Sequence, residues 1–318
     1  MPKVSVIINC YNGVKYLREA IDSIYAQTYK DWEIIFWDDA STDGSADIAK
    51  NYDERLRYYT GTKALSLGQA RNWAIEKSQG EYIAILDQDD KWMPDKLELQ
   101  IPLFERNPAV GLVFSDAVDF YQDTGRSISH FLNIDLMPPR GKIFNYLFIF
   151  SNYPVSMPTA MFRKKALDSL PEWFDKRYRY AEEYDLFLRM SYKWECDYVN
   201  KPLAIYRIHD SNNTKRFHEE IADELESIME KCLTYYPELV IKYKKEIEIN
   251  RSTAARQLAK SLWQTGQTRY ARTLLLKHIC SSKNVLAYAG TFFPYQKTTR
   301  LWVYLSLLYK RLIKGYGA

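Results

Sequence analysis

The sequence predicts an α/β fold, an open mixed sheet flanked by helices, followed by a separate C-terminal helical region. Three observations carry this. Up to about residue 120, short β-branched and aromatic runs alternate with helical stretches of about 12 residues, the pattern of parallel strands joined by right-handed crossovers. Two of those strand runs end in acid clusters, Asp38-Asp39 and Asp87-Gln88-Asp89-Asp90. From Thr214 onward the apolar residues recur only at helical spacing.

Taken in order, Val4–Asn9 alternates apolar with small or polar residues and reads as the first strand, closed by a Tyr-Asn-Gly turn at 11–13. Tyr16, Leu17, Ala20, Ile21, Ile24 and Tyr25 mark a helix. Glu33–Trp37 is the second strand, and Asp43 is placed to cap a helix running through Ile48. Arg57–Thr60 is a short third strand. Ser66-Leu-Gly-Gln69 has capping-box spacing for a helix through Ala70, Trp73, Ala74 and Ile75, with Gly80 read as its left-handed closing residue. The central strand covers 82–86, a helix runs from about Pro94 to Arg106, and Val110–Ser115 is the next strand. Beyond it the pattern is less regular. Asp116–Arg140 reads as strand and loop, Lys142–Phe150 as an apolar helix, Pro158–Arg163 as a strand and Lys164–Leu170 as a short helix. An amphipathic helix follows Arg179-Tyr-Ala-Glu-Glu-Tyr-Asp185, and Asp197–Asn200 and Ala204–Arg207 read as two strands. The boundary between a domain spanning 1–213 and a helical region spanning 214–318 falls in the polar loop after His209.

The chemistry concentrates where the strands end. Three carboxylates within four positions, Asp87, Asp89 and Asp90, repel one another; a hard divalent cation, Mg²⁺ or Mn²⁺, relieves that repulsion with one or two carboxylates plus phosphate and water oxygens. Ligands of open α/β sheets sit beyond the carboxyl ends of the strands, which is where both acid clusters fall. The same residues also read as caps of the helix that begins near Pro94 and Asp95. Neither cluster is followed by Gly-x-Gly-x-x-Gly, and no Gly-x4-Gly-Lys-Ser/Thr occurs, so a dinucleotide dehydrogenase and a P-loop ATPase lose support. A nucleotide site built from metal and carboxylates remains.

The net charge of +4 hides a division. Residues 251–318 carry 12 of the 44 Lys/Arg and none of the 40 Asp/Glu, which leaves residues 1–250 at −8. The basic end, with Arg300-Leu-Trp-Val-Tyr-Leu-Ser-Leu-Leu-Tyr-Lys-Arg-Leu-Ile-Lys314, suits the interface of an anionic membrane, which is favoured over nucleic acid; a packed helix or a homodimer contact is the competing reading. No run of about 18 apolar residues suggests a spanning helix. Cysteines at 10, 196, 232 and 280 lack Cys-x-x-Cys spacing, so neither a disulfide framework nor a zinc site is expected. With no charged-then-apolar leader before Val4, the expected location is cytoplasmic, peripheral at the inner membrane face.

Several motifs resemble glycosyltransferase family 2. Val4-Ser-Val-Ile-Ile-Asn-Cys-Tyr-Asn12 is similar to the family's opening strand, and Glu33-Ile-Ile-Phe-Trp-Asp-Asp-Ala-Ser-Thr-Asp43-Gly-Ser to its second strand and turn. Gly68-Gln-Ala-Arg71-Asn72 resembles the following helix, and Leu86-Asp-Gln-Asp-Asp90 the aspartate motif, all in family order across residues 3–210. The resemblance implies a GT-A fold, a Rossmann-like nucleotide-diphospho-sugar transferase architecture, with a nucleoside-diphosphate-sugar donor (a UDP-sugar favoured), a saccharide or lipid-linked acceptor, and inversion at the anomeric carbon. By the same resemblance Tyr11 and Asn12 would meet the nucleotide, with Tyr11 on the base and Asp39 accepting the base N–H. Arg71 would hold the nucleotide or its phosphates, Asp87 would face ribose or sugar, Asp89 would ligate metal with Asp90 nearby, and His209 of Arg207-x-His209 would reach the metal or diphosphate. Two departures stand out. Asn9-Cys10 replaces the more usual Pro-Thr, which would tune the base pocket. Glu182-Glu183-Tyr-Asp185 replaces a Glu-Asp pair, making Glu183 the expected catalytic base and Asp185 the reserve. The competing expectations are a sugar nucleotidyltransferase of similar fold, whose glycine-rich N-terminal loop Asn9-Cys-Tyr-Asn-Gly13 does not supply, and an inactive membrane-docked scaffold, against which the intact acids speak.

Overall fold

The computed structural model describes residues 1–133, 139–148, 154–209, 218–264, 266–278 and 282–292. The chain divides into two compact units, Met1–Arg216 and Phe217–Ala318.

The first unit is built on β1 (Val4–Cys10), whose seven residues are all buried. It is followed by α1 (Leu17–Tyr25), β2 (Trp32–Asp38), α2 (Ser45–Lys50), β3 (Leu56–Thr60), α3 (Leu67–Glu76) and β4 (Tyr82–Ile85). Strands β3, β2, β1 and β4 lie side by side and all pair in parallel. Parallel strands need helical crossovers on the sheet faces, which is why β1, β2 and β4 are buried at every residue. Leu17, Ala20, Ile21 and Ile24 of α1 pack on Val4, Val6 and Ile8 in one cluster of buried side chains.

A two-residue strand, β5 (Lys91–Trp92), and α4 (Lys96–Arg106) come next, then the long β6 (Val110–Tyr121), β7 (Arg126–Ser129), α5 (Phe144–Leu147), β8 (Met161–Arg163), α6 (Lys164–Asp168), α7 (Glu182–Lys193) and β9 (Glu195–Ile208). The sheet order is β3-β2-β1-β4-β8-β6-β9-β5, with β7 on β6. Strand β8 runs antiparallel to both β4 and β6, β6 and β9 are parallel, and β5 is antiparallel to β9, so the sheet is mixed.

The structure corrects several local expectations. The runs at 197–200 and 204–207 are one strand, because β6 and β9 stay paired through register shifts around Ser115 and Asp116. Pro158 lies in a 3₁₀ turn, Met157–Thr159, and only Met161–Arg163 is strand. The apolar helix after Lys142 covers only Phe144–Leu147, and residues 149 and 150 of the expected span lie outside the described residues. Asp43 stands before the N-cap position of α2; its carboxylate instead accepts the Ser45 and Val14 N–H groups. Ser66 does occupy the N-cap of α3, but its hydroxyl makes no capping bond.

Gly80 is not in the left-handed region; its reason is proximity. A Cβ there would lie 2.4 Å from the Ser5 backbone nitrogen and 2.8 Å from Ser5 Oγ. Around it Ser5 Oγ accepts the Gly80 N–H and donates to Glu33, while the Gln79 N–H donates to Glu33 and Arg57 pairs with the other Glu33 oxygen. This node pins the chain entering β4 to β1 and β2.

The second unit contains α8 (His218–Tyr235), α9 (Leu239–Lys242), α10 (Lys244–Gln264), α11 (Thr268–Lys277) and α12 (Ser282–Gly290). Ala259, Trp263, Ala271 and Leu275 form the buried contact between α10 and α11. Gly266 makes the turn between them at φ +86°, a conformation that costs glycine little. Among the described residues no helix is long and apolar enough to cross a membrane. The segment 300–314 lies outside the described residues.

Because Gly80 has backbone rather than flexible side chain against it, Gly80→Ala is expected to cost about 2–3 kcal/mol of stability. Urea unfolding monitored by circular dichroism measures this as a lowered midpoint with an unchanged slope.

Candidate active site

Strands β2, β1 and β4 are neighbours and parallel, so their carboxyl ends meet. This alone gathers Tyr11 and Asn12 after β1, Asp38 and Asp39 after β2, and Asp87–Asp90 after β4. Gln88 locks the first turn to the third: its Oε1 accepts the Tyr11 N–H at 2.9 Å and its Nε2 donates to the Tyr11 carbonyl at 3.3 Å. Asn12 locks the first to the second. Its Oδ1 accepts the Thr42 N–H at 2.8 Å, and its own N–H donates to Ser41 Oγ. Asn12 adopts φ +51°, a region Asn tolerates, and Ala40 adopts φ +61°, which costs a residue with a Cβ roughly 1–2 kcal/mol. That strained residue directly follows Asp39.

The adjacent acids Asp38 and Asp39 divide their work. Asp38 is structural, accepting from the Ser41 N–H and the Tyr58 hydroxyl. Asp39 accepts the Leu65 N–H through Oδ2, while its Oδ1 is buried beside the Trp37 side chain and makes no further hydrogen bond among the described residues. Burial raises its carboxyl above the usual range. The Tyr11 ring, in contrast, is 53% exposed and available to stack on a planar ligand.

Arg71 is buried. It projects from α3 into the interior, 1% exposed, with one guanidinium nitrogen 2.8 Å from Asp87 and another 2.9 Å from Glu182. Burial opposes its charge, but Asp87, Glu182 and Glu183 outweigh that and hold its pKa above the ordinary value. Arg71 therefore organises the acids around it. Glu183, next to Glu182 at the start of α7, makes no hydrogen bond among the described residues and is half-buried. Burial, then the charge of Glu182, push its carboxyl up to about 8. Asp185 faces elsewhere: it is 2% exposed and bound by the guanidinium of Arg189 at 2.6 Å. An i, i+4 pair on one helix consumes the reserve base.

Beyond the aspartates, β9 delivers His209. Its Nε2 lies 2.9 Å from Asp89 Oδ2, and its ring centroid is 5.4 Å from that of Tyr16. Asp90, at 1% exposure, is not open to a ligand; it accepts the Arg207 backbone N–H at 2.8 Å. Burial and the charges of Asp89 and Asp87 raise its carboxyl well above the usual range, and burial also leads the rise at Asp89.

Sequence reasoning named Glu182 and Arg207 only within motifs and gave Gln88 no role; the partners through which all three organise the site were not visible to it. Arg207 donates to the Asp89 carbonyl, Gln122 and Glu19, and so fastens the aspartate loop to β9 and α1. Its position two residues before His209, on the same strand face, was the available signal.

Asp89 and His209 are the residues placed to hold a divalent cation. Among the described residues no three metal-ligating side chains converge, so the remaining ligands would come from phosphate and water. Asp87, Asp89 and Asp90 in one loop make the site favourable to positive charge.

Titration of Glu183 gives a prediction. The folded protein retains a proton on this carboxyl between pH about 4.5 and about 8, where the unfolded chain has lost it. Stability from this group is present below that window and falls as pH rises through it. Glu183→Gln removes the slope, so its melting temperature relative to the parent, measured without divalent cation, is expected to climb across those pH values.

The comparisons with known proteins agree with this geometry. Residues 5–170 match the family model Glycosyl transferase family 2. An uncharacterised glycosyltransferase of Rickettsia typhi is 31% identical over 218 residues, 67% of this chain and 66% of that protein. The putative teichuronic acid biosynthesis glycosyltransferase TuaG of Bacillus subtilis is 43% identical over 112 residues, 34% of this chain and 44% of the relative. The matched stretch thus spans less than two thirds of either relative. Staphylococcus aureus TarS 1-349 in complex with UDP-GlcNAc superposes with a TM-score of 0.59 at 16% identity, over 94% of this chain and 92% of that one. The mannosyltransferase PcManGT of Pyrobaculum calidifontis, in complex with GDP-Man and Mn²⁺, gives 0.62 at 19% identity over 96% and 85%. The structural likenesses establish the GT-A fold. With the family model covering half the chain and its motifs gathered at one sheet edge, the chain belongs to glycosyltransferase family 2.

Proposed function

We propose that the protein transfers a sugar, with inversion, from a nucleoside-diphosphate-sugar to a hydroxyl of a saccharide or lipid-linked saccharide. The observation that carries this is Glu183, a carboxyl without a hydrogen bond, raised to about 8 and held by the Arg71 bridge beside the aspartate loop. A base raised toward ambient pH takes a proton effectively, and burial is what raises this one. The ionised form of Glu183, which gains population as pH rises toward 8, accepts the acceptor hydroxyl proton as that oxygen attacks the anomeric carbon; one displacement on one face inverts it. Asp185, paired to Arg189, offers no second nucleophile.

Tyr11 and Asp39 take the nucleotide base, by stacking and by accepting a ring N–H at Asp39 Oδ1. That acceptor favours a UDP-sugar. Asp89 and His209 would hold Mn²⁺ or Mg²⁺. When bound, such a cation supplies Lewis-acid charge to the leaving group. The relation to a protein named for teichuronic acid biosynthesis supports a place in surface polysaccharide synthesis.

We place the enzyme peripherally at the cytoplasmic face of the membrane. In the second unit Tyr270, Leu276, Val285, Leu286 and Phe292 are exposed, interspersed with Arg269, Lys277 and Lys283, and no acid occurs after Arg251. Apolar and basic side chains together suit an anionic lipid interface.

Release of UDP from UDP-sugars in the presence of Mn²⁺ tests the reading directly. Asp89→Ala is expected to lose the Mn²⁺-dependent part of UDP affinity in calorimetry. Glu183→Gln is expected to bind the donor within about twofold yet lose roughly 10²–10⁴ in transfer rate; normal turnover would remove it as the base. Deleting residues 295–318 should lower cosedimentation with vesicles containing anionic phospholipid, and undiminished binding would remove that segment from the contact.

A further inference from the structure

Between Phe174 and Ala181 the otherwise acidic part of the chain carries Lys176, Arg177 and Arg179 against a single acid, Asp175. The stretch is a closed loop. Asn72 on α3 brackets its start: Nδ2 donates to the Phe174 carbonyl at 2.7 Å, and Oδ1 accepts the Phe174 N–H at 3.0 Å. A Cβ on Gly68 of the same helix would lie 3.2 Å from Phe174 Cβ and 3.6 Å from Glu182 Cβ, so both ends of the loop close on one point of α3. Ser66 Oγ donates to the Lys176 carbonyl at 3.4 Å, and the Tyr178 side chain is buried. Loops whose ends meet in this way hold their own geometry and commonly carry function. Inside it the charges are sorted. Asp175, 2% exposed, accepts the Arg177 backbone N–H and is paired with the Arg177 guanidinium at 2.6 Å, which consumes the one acid. Lys176 is exposed, and its side chain makes no ion pair or hydrogen bond among the described residues. Arg179 is exposed as well. It stands four residues before Glu183, and even a fully extended chain keeps it within about 14 Å of that carboxyl.

We propose that this loop is a subsite for a negatively charged acceptor, Lys176 and Arg179 pairing with a phosphate or carboxylate on the saccharide unit beside the one whose hydroxyl attacks. The proposal rests on reading Glu183 as the base, since that residue marks where the attacking hydroxyl sits. Cations with no carboxylate to neutralise them draw an anion from a distance and hold it at contact by charge-assisted hydrogen bonds. The planar head of Arg179 meets two oxygens of either group at once, and Lys176 adds a point charge. Phosphate and carboxylate share this chemistry. The donor diphosphate is assigned elsewhere, to Asp89 after β4 and His209 after β9, whereas this loop is fastened to α3 and runs into α7. An anionic lipid is the other partner such a loop could meet; its closure onto α3, one short step from Glu183, favours the acceptor.

Calorimetry on the full chain with UDP and Mn²⁺ decides it, using three oligomers of matched length: a phosphodiester-linked glycerol oligomer, an oligogalacturonate and a neutral maltooligosaccharide. One charged oligomer should bind at least about tenfold more tightly than the neutral one, and which of the two does so identifies phosphate or carboxylate as the group recognised. Lys176→Ala with Arg179→Ala should weaken that oligomer about tenfold and flatten its salt dependence. The same double variant should keep the parent's UDP affinity and melting temperature, because both side chains are exposed. Lys176→Arg with Arg179→Lys, which conserves the charge, should retain most of the oligomer affinity. Equal binding of charged and neutral oligomers, no binding of either charged one, or full affinity in the double alanine variant overturns the subsite. So does a loss of UDP affinity in that variant, which would give the loop to the donor, or a loss of cosedimentation with anionic vesicles while oligomer binding persists, which would give it to lipid. Failure of the underlying reading shows separately, as normal turnover in Glu183→Gln while the charged oligomer still binds through Lys176 and Arg179.

Discussion

The site depends on one buried ion bridge. Arg71 on α3 joins Asp87, at the end of β4, to Glu182, at the start of α7, and is itself 1% exposed. Asp87 and Glu182 are 95 positions apart in the chain and belong to the two halves of the reaction as proposed, donor binding and proton removal. A buried charge pair contributes little net stability against an apolar replacement, but removing one member strands the others and typically costs about 3–5 kcal/mol. What the bridge provides is position. It fixes the first turn of α7 to the sheet edge, and with it Glu183.

The charge balance explains the titration of the neighbours. Asp87, Asp89, Asp90, Glu182 and Glu183 crowd the region, against the guanidinium groups of Arg71 and Arg207. Arg71 is consumed by Asp87 and Glu182. Arg207 gives its side chain to Glu19, Gln122 and the Asp89 carbonyl, and its backbone N–H to Asp90. Burial leads the rise of the Asp89, Asp90 and Glu183 carboxyls, and the excess of negative charge among the described residues adds to it. The same excess favours positive charge where Asp89 meets His209.

Much of this was legible in the sequence because it is local. Strand ends are written as apolar runs stopping at acids, and parallel pairing of β2, β1 and β4 then brings Asp39, Tyr11 and Asp89 to one edge without further information. Gly80 announced itself, but for the wrong reason: its lack of a side chain matters to the Ser5 backbone, 75 residues away, and not to helix termination. Partners that distant leave no periodic trace. The ion bridge of Arg71 went unread for that reason, since a sequence shows an arginine near phosphate-binding motifs but not the glutamate 111 residues on that pairs with it. Asp185 was misread through the opposite failure: the Arg189 that neutralises it stands one helical turn away, where i, i+4 spacing pointed to it.

The two halves of the cleft differ in how they are built, and this decides what the chain specifies tightly. The donor side consists of strand ends and the turns that leave them, held by backbone pairing and by Gln88, Asn12 and Asp38 across the turns. Such a platform admits little variation, since shifting a parallel strand by one residue turns every side chain to the other face. The other side is reached through β8, a three-residue strand inserted antiparallel between β4 and β6. Its pairing of Met161 with Ala84 brings the preceding 3₁₀ turn, Met157–Thr159, toward the same sheet edge from the opposite direction. Connections of this kind carry no register of their own and change length and composition freely. A single fold can thus keep one geometry for the nucleotide while the acceptor is set by segments that no strand constrains; here Arg71 and Glu182 are the joint that keeps the fixed half and the variable half in step.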